Sequence, residues 1–259
     1  MQFLLRSGVL ATSERFKRLH SAAAKLSHHE LPKCAACSFG RQTNRPVPHG
    51  RKSKAIKEKV GILSANQTEP GQRVFIDHFV SSTRGRRIKG YGIREPSGQS
   101  PARTNEGHSG GCVFIDASTS FIHIEFQSHL SSHETIQATQ SFEQLSLDNG
   151  VVINQCFSDN GSAFTSKAFR DHLEQQGQVQ LHSGAGSHHM NGKAERAIRT
   201  IMAMARVMML HSAVHWPDVS DPTLWPLAVK HAVWIHNRLP QPSTGLSPID
   251  LWTKQRFPL

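Results

Sequence analysis

Three acidic residues stand where a carboxylate needs a reason. Asp77 interrupts the apolar run "RVFIDHFV", residues 73–80. A carboxylate inside an apolar strand is expensive unless it is paired or coordinates a metal. Asp159 closes the run "VVINQCFS" and is followed at once by Asn160-Gly161, so a turn residue and a placed ligand are both open readings. Glu195 lies in "GSHHMNGKAERAIRT", at the start of a helical pattern, with 35 residues between it and Asp159. Carboxylates from two strands and a helix that meet at one edge of a sheet repel one another. Hard divalent cations with oxygen ligands relieve that repulsion. Two Mg²⁺ (or Mn²⁺) ions about 3.5–4 Å apart would stabilise the attacking and leaving oxygens of phosphoryl transfer. Spacing alone does not single this triad out among 19 acidic residues. A fourth carboxylate, Asp116 in "GCVFIDAS", sits beside an expected hairpin turn and is read as a turn residue.

The elements that must carry these residues follow from periodicity. Residues 73–80 read as a strand, and 81–110, rich in Gly, Ser, Arg and Pro, as a long loop or loose hairpin. "GCVFIDAS" and "SFIHIEFQ" read as two strands around a tight turn. Ser132 is expected to cap a helix that ends at Asn149-Gly150. Residues 151–158 read as a strand, 165–176 as a helix closed by Gly177, and "QVQLHS" as a short strand. A long helix is expected from about Asn191 to Ser212, with Ile198, Ile201, Ala205 and Met208 forming its apolar stripe. "DPTLWPLAVKHAVWIHNRLP" reads as a last helix stopped by Pro240. A hairpin followed by strand–helix alternation implies a mixed sheet with helices on its faces. No internal repeat is visible.

Charge is unevenly placed. Residues 1–60 hold 13 Lys/Arg against 3 Asp/Glu, or +10 of the formal net +11, while residues 61–259 hold 17 against 16. A basic arm on a near-neutral body points to a polyanion partner. The cluster "HGRKSKAIKEKV", with Arg51, Lys52 and Lys54, suits phosphate contacts and also fits a nuclear localisation patch. Hydrophobic residues make up 37% of the chain and mean hydropathy is −0.42. No unbroken apolar run reaches the roughly 18 residues of a membrane span, so the chain is expected in the nucleus or cytoplasm. Four cysteines do not make a disulfide framework. Cys112 and Cys156 are expected in the core, whereas Cys34-x-x-Cys37 has the spacing of two Zn²⁺ ligands out of the four that Zn²⁺ wants.

Taken together, "FIDHF", "CVFIDASTSFIHIEF", "FSDNGSAFTS" and "HHMNGKAERAIRTI" resemble the catalytic core of retroviral and retrotransposon integrases. The 35-residue gap is that family's D,D-35-E signature. "KCAACSFGRQTNRP" resembles the Cys-Cys half of the zinc module that precedes this core in Ty1/copia-type polyproteins, and "LWPLAVKHAVWIHNRLPQPSTGLSPIDLW" resembles the segment that follows it. The resemblance implies a ribonuclease H-like fold: a mixed five-stranded sheet with flanking helices. It implies four stretches: a partial zinc-binding module (1–43), a basic linker (44–72), an integrase core (73–214) and a C-terminal helical extension (215–259). Asp77, Asp159 and Glu195 become the catalytic metal ligands. The helix face around Glu195, with Asn191, Lys193, Arg196 and Arg199, becomes a DNA contact. Met190 stands where the family often has Gln. The expected activity is Mg²⁺-dependent DNA 3′-end processing and strand transfer by a homo-oligomer. An inactive DNA-binding remnant and a nuclease that cuts without joining are the alternatives. His20, His28 and His29 are badly spaced to complete a zinc site with Cys34 and Cys37. The chain is therefore expected to be a fragment, cut at both ends, with the missing histidines before Met1.

Overall fold

Strict alternation sets the first strand. Within β1 (Val74–Gly85), Val74 and Ile76 point into one apolar cluster, and Phe75 and Phe79 into another, as the two-residue period of a strand requires. The computed structural model describes residues 34–40, 69–87, 107–182, 192–241 and 245–255. β1 pairs antiparallel with β2 (His108–Asp116) from Val74↔Asp116 to Gly85↔His108, with an irregularity between Val80 and Gly85. The strand therefore runs five residues past the expected Val80. Ser81–Gly85 is polar and reads as loop, yet it continues as the arm of a long hairpin. β2 turns into β3 (Ile122–Gln127) through Ser120, at φ 60°.

Helix α2 (Ser132–Asp148) is capped by Ser131, not Ser132: the Ser131 side chain accepts from the Glu134 N–H. The Glu134 carboxylate in turn accepts from the Ser128 and His129 N–H groups. Two adjacent serines look alike in sequence, and only the extended backbone of Ser131 (ψ 159°) allows the cap. The expected strand 151–158 is shorter in its ladder, β4 (Gln155–Ser158). Val151 and Ile153 are buried ahead of it, and the Asn154 N–H bonds to the Gly71 carbonyl. Helix α3 (Lys167–Gln175) leads to β5 (Val179–His182). β4 lies parallel to both β1 and β5, giving one five-stranded mixed sheet in the order β3-β2-β1-β4-β5.

The two sheet faces are covered by different helices. α2 and α3 supply Ala138, Phe142, Phe169 and Leu173 to the first cluster. α4 (Gly192–His215) and α5 (Trp225–Arg238) supply Ala194, Ile201, Met204, Val229 and Ala232 to the second. Ile201 and Ala205 of the expected stripe are buried, and Ile198 and Met208 pack against that cluster. By length and composition an 18-residue window of α4 would also pass for a membrane span, with mean hydropathy 1.2; here its apolar side faces the sheet and α5. The stretch read as an extension belongs to the same core. Trp252 on α6 (Pro248–Thr253) is 1% exposed and stacks on Phe121. Asn237 of α5, also buried, accepts from the Ile122 N–H of the outermost strand β3 at 2.9 Å and donates to its carbonyl at 2.7 Å. The short helix α1 (Ala35–Gly40) lies against α4, so closely that a Cβ on Gly40 would come within 2.4 Å of Val207.

Candidate active site

The parallel pairing of β1 and β4 brings two of the three carboxylates together. Val74 pairs with Cys156 and Phe75 with Phe157. The same offset carried two residues further sets Asp159, just past the end of β4, level with Asp77. Adjacent strands lie about 4.8 Å apart. Asp77 shares its sheet face with Phe75 and Phe79, the face that α4 covers, and Glu195 sits in the first turn of α4.

Electrostatics tie the three together. Burial pushes the Asp77 carboxyl up to about 6; the charges of Asp159 and Glu195 push the same way, against a lowering by the His78 N–H, which donates to Asp77 Oδ1 at 2.8 Å. All three donors are carboxylates, the type a hard divalent cation prefers. A group held up by burial and two like charges lacks the positive charge that such a cation would supply. Among the described residues, no three His, Cys, Asp or Glu side chains are grouped closely enough to hold a metal ion. Glu195 is exposed. The donor set thus fits a metal in kind, without the three carboxylates being gathered into one metal-sized group.

Asp159 fills the turn role and keeps an oxygen over. Its Oδ1 accepts from the Gly161 N–H at 2.9 Å, a local turn bond. A carboxylate has two oxygens and accepts at each, so the turn does not exhaust it. The loop it opens is held by a residue the sequence reading passed over. His78 stacks on Phe164, ring centroids 4.4 Å apart, with its Nε2 3.1 Å from the Thr135 hydroxyl. That hydroxyl already donates to the Ser131 carbonyl, so His78 is the donor. Burial lowers its pKa to about 4, against the charge of Asp159; the imidazole is neutral at pH 7. A histidine in an apolar strand beside an aspartate was the available signal.

Asp116 does act as a turn residue. It is fully buried and accepts from the Ser118 and Thr119 N–H groups, both of their hydroxyls, and the Gly71 N–H. Lys193, read as a DNA contact, donates its amine to the Ala117 carbonyl of that turn. Burial lowers its pKa, while Asp116 raises it and Arg196 lowers it further. Arg196 and Arg199 are exposed on α4. Cys34 and Cys37 lie at the start of α1 and within it, Cys37 buried. Asn191, Arg51, Lys52 and Lys54, and the histidines weighed as zinc partners, lie outside the described residues.

No family model matches the chain. Over 90 residues it is 36% identical to the retrovirus-related Pol polyprotein from transposon RE2 of Arabidopsis thaliana; the match covers 35% of this chain and spans 6% of that relative's length. Among solved structures, the HTLV-2 integrase catalytic core domain in complex with magnesium aligns over 71% of this chain and 97% of its own, at 16% identity and TM-score 0.47 in its dimeric form. The simian T-cell lymphotropic virus intasome, in complex with PP2A regulatory subunit B56 gamma, aligns over 96% of this chain and 76% of its own, at 15% identity and TM-score 0.51. At such identities the structural likeness is one of fold. That fold is the ribonuclease H-like one, a mixed five-stranded sheet with flanking helices.

Proposed function

We propose that this chain is the integrase part of a retrotransposon polyprotein and that it processes DNA 3′ ends and joins them to target DNA. One observation carries the reading. The β1–β4 register sets Asp159 level with the buried Asp77, and on top of burial the charges of Asp159 and of Glu195, at the start of α4, both push the Asp77 carboxyl up. Asp77, Asp159 and Glu195 would hold Mg²⁺ or Mn²⁺, two ions in all. Bound there, the cations supply Lewis-acid stabilisation of the attacking and leaving oxygens. The chain's own residues do the placing. β1 and β4 fix two carboxylates in register, the His78–Phe164 stack steadies the Asp159 loop, and α4 brings Glu195. Exposed Arg196 and Arg199 would meet phosphates, contacts that position DNA without reading its sequence. The basic arm, with Arg51, Lys52 and Lys54, adds a second electrostatic hold. A homo-oligomer acting on DNA in the nucleus completes the reading; Cys34 and Cys37 would contribute half of a zinc site.

Asp159→Asn tests it. With Mg²⁺ and oligonucleotides carrying element ends, the variant should neither nick nor join, while its DNA affinity stays equal or rises. Cutting at the wild-type rate would leave Asp159 a turn residue only. A wild-type chain that cuts but never joins would make the protein a nuclease.

A further inference from the structure

We infer that Lys193 is a positioning residue: fastened to the Ala117 carbonyl of the β2–β3 turn, it sets the first turn of α4, and with it Glu195, against the sheet. The inference rests on reading Glu195 as the third carboxylate.

The anchor is built before the lysine reaches it. Asp116 is 0% exposed, and its Oδ2 accepts from the Ser118 N–H (3.1 Å), the Ser118 hydroxyl (2.7 Å), the Thr119 N–H (2.7 Å) and the Thr119 hydroxyl (2.8 Å). Its Oδ1 accepts from the Gly71 N–H at 2.9 Å. Ala117 is also held from the other side, its N–H donating to the Arg73 carbonyl at 2.9 Å. The Ala117 carbonyl is therefore a fixed point on the sheet, not a free loop oxygen. An ammonium donating to it makes a charge-assisted bond, stronger than a neutral one, and the half-buried site screens it little.

What the bond holds is the part of a helix that most needs holding. The first turn of an α-helix leaves its N–H groups without intrahelical partners and frays first. Lys193 and Glu195 are two residues apart, so at 100° per residue they point to different sides. Between them Ala194 is fully buried in the second cluster. One side chain can thus grip the turn while the other stands exposed near Asp77. The three carboxylates form no metal-sized group here and Glu195 is exposed, so the pitch of this turn bears on whether it can join Asp77 and Asp159. A lysine whose ammonium is committed to a carbonyl is correspondingly poor as a phosphate contact.

Three variants of the full chain decide this: Lys193→Gln, Lys193→Arg and Glu195→Gln. Mn²⁺ binding would be measured without DNA, by the paramagnetic resonance signal of free Mn²⁺, alongside the salt dependence of DNA binding and thermal unfolding. Glu195→Gln should weaken Mn²⁺ binding. Lys193→Gln should weaken it about tenfold, as loss of a residue orienting a ligand does, with the salt slope of DNA binding unchanged; Lys193→Arg, which still donates, should restore it. If Glu195→Gln leaves Mn²⁺ binding intact, the carboxylate assignment fails, and the inference with it. If Glu195→Gln weakens binding but Lys193→Gln does not, only the inference fails. A salt slope lower by about one in Lys193→Gln would make Lys193 a phosphate contact and overturn it too. Should Lys193→Gln not fold, Lys193→Met, which keeps the aliphatic stem, takes its place. Failure of both with Lys193→Arg folded would make Lys193 a stability residue and likewise overturn the inference.

Discussion

Asp77 gives the folded chain a pH signature. Its carboxyl titrates near 3.8 when unfolded and at about 6 when folded. Below about pH 4 it is protonated in both states and costs nothing. Between about 4 and 6 only the folded state keeps the proton, so stability falls as pH rises, and above 6 the penalty is complete. His78 works in the opposite sense. Its pKa drops from 6.5 to about 4 on folding, so its contribution is whole above 6.5 and is lost as pH falls towards 4. The difference between two proteins that both keep His78 isolates Asp77. Without divalent cations, Asp77→Asn should be more stable than wild type at pH 8 by on the order of 2 kcal/mol, allowing for partial solvent screening. By pH 4 the gap should close. Added Mg²⁺ should raise the melting temperature of wild type far more than that of the variant. Equal stabilities at pH 8 in calorimetry would show that Asp77 bears no such cost.

Among the elements, α6 carries more than its length suggests. It has a complete capping box, Ser247 with Asp250, and Pro248 at its start. It drives Trp252 between Phe121, at 4.9 Å, and Phe142, at 5.9 Å. Trp252→Ala should cost about 3–5 kcal/mol, the usual range for emptying a core aromatic site, and Trp252→Phe much less. Urea denaturation reads this directly, and a loss below about 1 kcal/mol would mean that α6 is an appendage after all. In sequence, "SPIDLW" shows the capping signal but not that its tryptophan reaches Phe121 and Phe142, far earlier in the chain. The misjudged boundaries have the same origin. Polar Ser81–Gly85 continues the strand because its far end, Gly85, pairs with His108 of β2, and apolar Val151–Ile153 stays out of the ladder, with the Val151 N–H taken by the Ser146 carbonyl and the next residue's N–H, that of Asn154, by Gly71. Local pattern reports propensity; pairing is decided by residues far away.

For the molecule as a whole, the question is where DNA affinity resides. Residues 1–60 carry +10 of the +11 net charge, and each phosphate neutralised adds to the salt slope of binding. A protein beginning at Gly61 should bind DNA more weakly and with a visibly shallower slope of log K against log salt. The same slope in both proteins would assign binding to the body. Of the candidate site, Asp77 was conspicuous in sequence as a carboxylate inside an apolar run, whereas Asp159 and Glu195 lie among polar neighbours and were picked out by the resemblance. Lys193 was not legible: before a glutamate on a helix it looks like any surface cation, and the carbonyl it grips lies 76 residues away in sequence. His78 was missed for a related reason, since its stacking partner Phe164 enters only when β1 and β4 align.

The Asn237 clamp on Ile122 bears on how the protein keeps in a tube. Without it, β3 would present an unsatisfied N–H and C=O side by side on the rim of the sheet, the template on which a second molecule adds a strand. A single amide occupies both groups and so acts as a plug against self-association. Asn237→Ala should leave the secondary structure content nearly unchanged, yet turn concentrated samples cloudy within hours and bind amyloid dyes. Light scattering against concentration, compared with Asn237→Gln, would register the loss of the plug.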